Sequence, residues 1–422
     1  MASAHPPLTT GYAPLTIHSR LLLGPGPSMT DPAVLRALAT PIVGQFDPQM
    51  TTVMNEVMAL ARHAFQTENR WAFPVSGTGR AGLEAALCSL LEPGDRVVAG
   101  VAGKFGHLMA EIAERCGAVV TRVEAEWGEL LDPERIEDAI RRTRPKVVTI
   151  VHGETSTGVL QPLEEIGAIA RAHDALLVVD AVATLGGACV ATDRWQVDVC
   201  ISGTQKCLSC PSGLAPLTYN ARAEAALWRR QRPVQSFYFD LRLLQDYWDR
   251  DRRYNHHTAP AAMLFALREA LRVVQEEGLE AREQRHRLHS QALRRGVEAL
   301  GLAIFGPKDE TSQMPMLVPL LIPDGVEDLA VRRALLLQYG IEIGAAFGPL
   351  QGRVWRVGLM GYSAQQENVL RLLAALEAVL RQLGHPVPSG AGVDAAATVY
   401  RDAGLGELDV TDNLGSRGIG SL

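Results

Sequence analysis

Leu-Leu-Val-Val-Asp at residues 176–180 and Val-Asp-Val-Cys-Ile-Ser-Gly-Thr-Gln-Lys at residues 197–206 form the stretch that decides the fold. Each segment is a short apolar run that ends on polar residues, which is typical of buried strands in a mostly parallel sheet. Ligands of open α/β sheets bind outside the carboxyl ends of the strands, so Asp180 and Lys206 are expected at the mouth of one crevice. A salt bridge at the sheet edge is the alternative interpretation of this acid and amine.

An acid and a lysine in such a crevice suit pyridoxal phosphate as a cofactor. The Lys206 amine can form a Schiff base with the cofactor aldehyde, and the Asp180 carboxylate can keep the pyridine nitrogen protonated. We therefore expect a pyridoxal phosphate site at this edge of the sheet.

Strands alternate with helices on both sides of this stretch, as βαβ units of a doubly wound sheet require. We predict an α/β protein with an N-terminal segment (1–20) and a large domain with a doubly wound, mostly parallel sheet (21–260). A smaller α+β domain with its linking helices (261–385) and a C-terminal surface tail (386–422) follow. Predicted strands lie at 73–75, 96–99, 118–123, 147–151, 316–322, 341–343 and 354–357.

Size and composition bound the kind of protein. The chain has 422 residues, 47% hydrophobic and 21% charged, which suits two globular domains. A net charge of −6 gives no electrostatic reason to expect nucleic acid or an anionic membrane as a partner. The apolar cluster at 21–23 is too short for a signal peptide, and no run is long enough for a membrane span, so we expect a soluble cytoplasmic protein.

Two glycine-rich turns are candidate ligand loops. Leu-Leu-Leu-Gly-Pro-Gly-Pro-Ser at 21–28 lets its backbone approach a ligand closely because glycine has no side chain. Ser-Gly-Thr-Gly-Arg at 76–80 opens a helix, whose free N–H groups and positive dipole end favour phosphate. A plain helix N-cap is the alternative for the second turn.

Seven stretches together resemble the class V aminotransferases of fold type I, specifically the alanine–glyoxylate and serine–pyruvate aminotransferase group. They cover roughly residues 20–385 in the family's order. The resemblance implies a pyridoxal phosphate enzyme that forms a homodimer with active sites built from both subunits. The stretches are LLLGPGPS, SGTG, HGETSTGVLQPL, LLVVDAVATLGG, SGTQK, YNHHTAP and WRVGLMG.

The resemblance also implies roles around the cofactor ring. Lys206 matches the lysine bound covalently to the cofactor, and Asp180 matches the partner of the pyridine nitrogen. Val182 is expected to pack under the ring and Phe105 to stack on it, where relatives usually have tryptophan. Thr155 matches the hydroxyl beside the phenolic oxygen of the cofactor.

The phosphate cradle and the substrate arginine are carried over in the same way. Thr78, Gly79, Arg80 and Gln205 match the residues of the cradle, and Thr258 is expected to reach it from the other subunit. A further match concerns the substrate, since Arg356 corresponds to the arginine that binds the α-carboxylate. Its planar fork can meet a carboxylate with two parallel hydrogen bonds. An ordinary arginine at the edge of the core is the alternative.

Two positions depart from the alanine–glyoxylate pattern. Asn255 replaces the tyrosine that normally precedes His-His-Thr, and Gln45 stands where relatives often have serine or histidine. Both are primary amides, and a substrate with a urea group complements them, whereas alanine leaves them unpaired at roughly 1–3 kcal/mol for each buried group. This pair resembles that of (S)-ureidoglycine–glyoxylate aminotransferases of purine breakdown, which implies oxalurate and glycine as products. Solvated substitutions in an alanine– or serine–glyoxylate enzyme are the alternative.

Other classes of function stay open at this point. A desulfurase-type lyase of the same fold needs a mobile reactive cysteine, and Cys207 and Cys210 lie close to Lys206 in the sequence. The same Cys-x-x-Cys spacing occurs in zinc sites, but no second pair of soft ligands follows at comparable spacing, so we expect no metal. A catalytically silent binding protein is disfavoured by the retention of Lys206, Asp180 and Arg356 together.

Overall fold

The computed structural model describes residues 14–250 and 253–405. The helices in these ranges are α1 Pro32–Leu38, α2 Pro48–Phe65, α3 Gly79–Leu90, α4 Lys104–Arg115, α5 Pro133–Thr143, α6 Glu164–Ala172, α7 Ala221–Trp228, α8 Leu241–Trp248, α9 Ala261–Glu277, α10 Leu279–Ala299, α11 Asp328–Tyr339, α12 Gln366–Gln382 and α13 Ala391–Asp402. The strands are β1 Leu21–Leu22, β2 Trp71–Ser76, β3 Arg96–Val101, β4 Val119–Glu124, β5 Val147–Val151, β6 Gly153–Glu154, β7 Val159–Leu160, β8 Leu176–Asp180, β9 Val199–Ile201, β10 Leu214–Tyr219, β11 Leu317–Leu321, β12 Ile341–Glu342, β13 Gly344–Ala345 and β14 Val354–Gly358.

A seven-stranded sheet forms the larger part of the molecule, with the strand order β2-β10-β9-β8-β5-β3-β4. Strands β9, β8, β5, β3 and β4 pair in parallel, and only β10 runs antiparallel to its neighbours. The predicted doubly wound, mostly parallel α/β sheet is therefore confirmed. The register aligns Val151, Asp180 and Ile201 in one row at the carboxyl edge, so the loops after these three strands meet there.

Strand β10 is absent from the sequence prediction, although all six of its residues are buried. Pro216 in its middle is a signal against a central strand, because proline has no N–H to donate to a ladder. The strand accommodates it by using the carbonyl instead: the Ser202 N–H donates to Pro216 O at 2.7 Å.

A second core lies around the three-stranded sheet β11-β14-β13. Helices α10, α11, α12 and α13 pack on it, and Trp355 of β14 is fully buried there. Leu21 and Leu23 belong to this core as well, because β1 pairs in parallel with β12. Strand β1 thus lies in the second core, and the segment after it enters the large sheet.

The linking helices α9 and α10 belong to different cores. Helix α9 packs against α1 and α2 and contributes Leu264, Leu267 and Leu271 to the core of the large sheet. Helix α10 contributes Leu293 and Val297 to the second core. The predicted domain boundary at residue 260 stays a prediction, and the packing of α9 favours a division nearer residue 278.

The predicted surface tail after residue 385 is wrong for the part of it that the structure describes. Residues 391–402 form α13, which packs along α10 and α12, and Tyr400 is fully buried. Its phenolic oxygen forms a 2.9 Å hydrogen bond with His289 Nδ1. Small residues such as Ala396 and Gly392 give the helix a weak apolar pattern, which hid it in the sequence. Residues 406–422 of the predicted tail lie outside the described residues.

None of the helices in residues 14–250 and 253–405 is both long and apolar enough to cross a membrane.

Tyr400→Ala should lower the free energy of unfolding by about 3–5 kcal/mol, the usual cost of removing a large buried aromatic side chain. Denaturant unfolding of the purified protein measures this, with Asp402→Ala on the exposed end of the same helix as the control. Equal stability of the two variants would contradict the packing of α13.

Candidate active site

A cavity of about 370 Å³ lies at the carboxyl edge of the sheet, between the large sheet and β14. It collects most of the residues that the sequence singles out from separate elements. Ten predicted residues line it: Thr78, Gly79, Arg80, Phe105, Thr155, Asp180, Val182, Gln205, Lys206 and Arg356. Three predicted residues, Gln45, Asn255 and Thr258, do not line it in the single chain.

Asp180 is the last residue of β8 and is only 4% exposed. Burial raises the pKa of its carboxyl to about 6, although the Val182 N–H donates to Oδ1 at 2.8 Å and opposes that shift. A buried carboxyl with a raised pKa binds best to a group that brings a proton or a positive charge. Asp180 therefore has the chemistry needed to hold a protonated ring nitrogen.

Lys206 follows β9 and is held from both sides. The Ser28 hydroxyl donates to the Lys206 carbonyl at 2.7 Å, and the Lys206 amine donates to Pro25 O. Gly26 allows this approach, because a Cβ there would lie 2.6 Å from the Lys206 side chain. Burial, with a smaller effect of the nearby Arg356 charge, lowers the pKa of Lys206 to about 8. A larger fraction of this amine is thus neutral and nucleophilic at physiological pH than in an exposed lysine.

Arg356 enters the cavity from β14 of the second core. Its Nε donates to Ala345 O at 2.8 Å and Nη1 donates to Thr155 O at 3.0 Å, while the guanidinium lies 4.3 Å from the centre of the Phe347 ring. Burial lowers the pKa of Arg356 to about 10. A guanidinium has five N–H donors, so these two contacts fix its plane and leave three donors for a ligand. Phe347 was not found from the sequence, because it lies in an irregular loop without periodicity.

The first turn of α3 is a candidate anion site in the same cavity. Thr78 is the N-cap residue, and among the described residues its side chain makes no capping hydrogen bond to the helix. The hydroxyl and the first-turn amides of Gly79 and Arg80 are thus available to a phosphate group. Gln205 Oε1 is buried beside them and has no hydrogen-bond partner within the described part of the chain. An orphaned buried amide is expensive, so a ligand that completes its hydrogen bonding fits this place.

Glu154, in the loop after β5, is a buried residue that sequence reasoning quoted without giving it a role. Its Oε2 accepts from the Phe105 N–H at 2.9 Å and from the Gly106 N–H at 3.3 Å. Its Oε1 accepts from the Ser156 N–H at 3.1 Å and from the Ser156 hydroxyl at 2.5 Å. Burial raises the pKa of Glu154, and these donors oppose that shift.

Gln45 and Asn255 lie together although they are 210 positions apart in the chain. Gln45 Nε2 donates to Asn255 Oδ1 at 3.1 Å, and the Ala259 N–H donates to Gln45 Oε1 at 3.3 Å. Asn255 and Thr258 are exposed in the single chain. The predicted roles of Gln45, Asn255 and Thr258 stay predictions.

Cys207 and Cys210 are buried, and burial raises the pKa of their thiols to about 11 and about 12, respectively. A buried protonated thiol is a poor nucleophile. This geometry argues against the desulfurase alternative, which needs a mobile reactive cysteine.

The family model of the class V aminotransferases matches residues 22–370. This chain therefore belongs to the class V aminotransferase family, and it is a transaminase of fold type I.

Individual relatives within this family differ in how similar they are to this chain. The (S)-ureidoglycine–glyoxylate transaminase of Bacillus subtilis is 50% identical over 413 residues, which cover 94% of this chain and 99% of the relative. The alanine–glyoxylate aminotransferase of Drosophila melanogaster is 38% identical over 89% of this chain and 96% of the relative. The crystal structure of the Bacillus subtilis ureidoglycine–glyoxylate aminotransferase superposes with a TM-score of 0.90 at 52% identity, covering 92% of this chain and all of the other. An alanine–glyoxylate aminotransferase of Nostoc sp. gives 0.86 at 44% identity over 88% of this chain and 98% of that one.

In the cofactor-free protein, Lys206 should react with an amine reagent with a midpoint near pH 8, whereas ordinary exposed lysines have a pKa of about 10.4. The sign follows from burial, which disfavours the charged ammonium form and so enlarges the neutral fraction at lower pH. Competitive acetylation followed by peptide mapping measures the midpoint, with the exposed lysines of the same protein as internal controls. A midpoint that matches those controls would contradict the buried environment of Lys206.

Proposed function

We propose that this protein transfers the amino group of (S)-ureidoglycine to glyoxylate, giving N-carbamoyl-2-oxoglycine (oxalurate) and glycine, in purine catabolism. The observation that carries the proposal is the hydrogen-bonded pair of Gln45 and Asn255, two primary amides at the positions where the alanine–glyoxylate pattern has other residues. The 50% identity to the Bacillus subtilis (S)-ureidoglycine–glyoxylate transaminase supports it.

We propose pyridoxal phosphate as the cofactor. When bound, it supplies an electron-withdrawing ring that carries the amino group between the two substrates. Lys206 would hold it covalently, and Asp180 would face the ring nitrogen. The start of α3, with Thr78 as its N-cap, and the amide of Gln205 would hold the phosphate. The orphaned Gln205 oxygen and the uncapped first turn support this fit.

Around the ring, Val182 would pack on one face and Phe105 would stack on the other, with the Thr155 hydroxyl beside the phenolic oxygen. All three residues line the cavity, which supports this assignment.

Lys206 would also move the proton at the substrate Cα. Its lowered pKa suits this task, because an acid/base group works best when its pKa lies near the working pH. Loss of a positioned acid/base group typically slows a reaction by about 10²- to 10⁴-fold.

Arg356 would bind the α-carboxylate of both substrates. Ureidoglycine and glyoxylate each carry a carboxylate next to the reacting carbon, so one guanidinium can orient both in turn. Ala345 O, Thr155 O and the Phe347 ring fix its plane before a substrate arrives, which lowers the entropic cost of alignment. Desolvation of the guanidinium strengthens its attraction for a carboxylate.

We propose a homodimer in which Gln45, Asn255 and Thr258 serve the cavity of the partner subunit. The surface around the Gln45–Asn255 pair is apolar, although it is exposed in the single chain. Ile42 is 71% exposed, Phe46 67%, Phe237 69% and Tyr254 50%. Several large exposed apolar side chains around a polar centre are typical of a protein interface.

Alanine or serine as the amino donor is the second candidate function. Alanine–glyoxylate aminotransferases are similar to this chain at 38% and 44% identity, below the 50% of the ureidoglycine enzyme, so they support this candidate less well. In the single chain the two amides form a hydrogen bond with each other. Binding of alanine, whose methyl group cannot pair with them, would therefore cost less than if both amides had no partner. The cytoplasmic location expected from the sequence stays a prediction.

With glyoxylate as acceptor, kcat/KM for ureidoglycine should exceed that for alanine and serine by about tenfold or more, because the amides discriminate by hydrogen bonding. The double variant Gln45→His/Asn255→Tyr should lose this preference and gain relative activity with alanine. Gln382→His, at the exposed end of α12, controls for a surface change of the same kind. Alanine as the best donor of the parent, with an unchanged ranking in the double variant, would refute the role of the amides.

A hybrid dimer tests whether the amides act across subunits. Lys206→Ala in one chain and Gln45→His/Asn255→Tyr in the other are co-expressed with different tags and purified through both. If the amides act on the partner's cavity, one site carries both lesions and the other is intact, so about half of the parent ureidoglycine activity is expected. Activity no higher than that of homodimers of either variant would mean that the amides act within their own chain. Failure of the two chains to co-purify would contradict the dimer.

A further inference from the structure

Helix α4, which carries Phe105 into the cavity, has no capping side chain of its own. Its N-cap residue is Gly103, so the first-turn amides need acceptors from elsewhere. Glu154 Oε2 accepts from the amides of Phe105 and Gly106, and the Ser156 hydroxyl oxygen accepts from the Lys104 N–H at 3.0 Å. The loop after β5 therefore caps a helix that follows β3.

Gly103 is required for this arrangement. A Cβ at this position would lie 2.4 Å from Ser156 Oγ and 2.6 Å from Glu154 Cγ. The helix start and the loop thus form one closely packed unit, in which the capping acid lies where an ordinary N-cap side chain would be.

The surroundings of Glu154 favour a carboxylate over an amide. Two donors point at each oxygen: the Phe105 and Gly106 amides at Oε2, and the amide and hydroxyl of Ser156 at Oε1. A carboxylate accepts only, so it satisfies all four donors. A glutamine in either orientation places its NH₂ group against at least one backbone N–H: those of Phe105 and Gly106 on one side, or that of Ser156 on the other, where only the hydroxyl can turn to accept.

Glu154 makes no close ion pair within the described part of the chain, although its charge lies near enough to Arg356 to raise the pKa of that guanidinium, against the larger effect of burial. The ion pairs found among the described residues do not include Glu154, although it is only 2% exposed. A negative charge at the start of a helix interacts favourably with the dipole of that helix, and the four hydrogen bonds add to this. The carboxylate is therefore tied to the orientation of α4 and loses its compensation if the first turn moves.

We propose that Glu154 is a positioning residue that fixes Phe105 against the cofactor ring by capping α4, a task to which its two accepting oxygens are better suited than an amide. This inference rests on the proposed cofactor. Glu154 acts through the first turn of α4 and does not touch the reacting atoms.

Glu154→Gln is the direct test. It keeps the size of the side chain but replaces one accepting oxygen with an NH₂ group, which can only donate. In the cofactor-free protein, amide hydrogen exchange at Phe105 and Gly106 should become about 10- to 100-fold faster, the usual effect of losing a hydrogen bond to a charged group. In the loaded protein, the visible circular dichroism of the cofactor should fall, and its dissociation constant should rise. Glu283→Gln is the matched control, because Glu283 also accepts a backbone amide, that of Cys189 at 2.8 Å, at a place away from the cavity.

A double-mutant cycle separates positioning from a general loss of stability. If Glu154 acts through Phe105, Glu154→Gln should add little to the weakened cofactor binding of Phe105→Leu. Additive effects on binding, or unchanged exchange and circular dichroism in Glu154→Gln, would overturn the proposal.

Ser156→Ala provides a second variant if Glu154→Gln does not fold. It removes one donor of Oε1 and the acceptor of the Lys104 amide, so faster exchange at Lys104 to Gly106 is expected, and unchanged exchange there would also overturn the proposal. The exchange measurement needs neither cofactor nor substrate, so its outcome is independent of which amino donor the enzyme uses.

Discussion

The site depends on one physical constraint: ionisable groups are buried, away from water, at one edge of the parallel sheet. Asp180, Lys206 and Arg356 enter the same cavity. Burial favours the neutral form of each, so it raises the pKa of Asp180 and lowers the pKa of Lys206 and Arg356. A carboxyl near pKa 6 and an amine near pKa 8 are both close to a change of charge at physiological pH. The fold thus holds an acid and an amine much nearer to a change of charge than exposed side chains of the same types.

This edge is assembled from both cores. Strand β1 lies in the second core, and the chain after it turns through Pro25 and Gly26 against Lys206 before it enters the large sheet. Arg356 comes back from the second core on β14 and bonds to the carbonyl of Thr155 in the loop after β5. Because each side of the cavity is fixed by a hydrogen bond to the other, Arg356 and Lys206 keep one relative position.

Much of the fold and of the site followed from the sequence where local patterns are strong. The apolar runs that end on Asp180 and before Lys206 predicted two adjacent strands, and both pair in the sheet as expected. What failed depended on contacts between distant parts of the chain. Strand β10 contains a proline, which is unfavourable in a central strand. Helix α13 is held by the burial of Tyr400 rather than by a strong apolar pattern.

Roles that depend on distant contacts are also invisible in a single sequence. Glu154 reads as one more polar residue after a strand, and its function as a cap appears only when α4 lies beside it. Phe347 lacks any periodic signal, although its ring lies against Arg356. Gln45 and Asn255 were singled out by their departure from the family pattern, and the structure adds that they bond to each other.

The central claim is a covalent link between pyridoxal phosphate and the amine of Lys206. Borohydride reduction of the loaded protein, followed by proteolysis and mass spectrometry of the peptides, tests it most directly. The account predicts a pyridoxyl phosphate adduct on Lys206 that is absent from the variant Lys206→Ala. An adduct on another lysine, or no adduct in a protein that still transaminates, would contradict it.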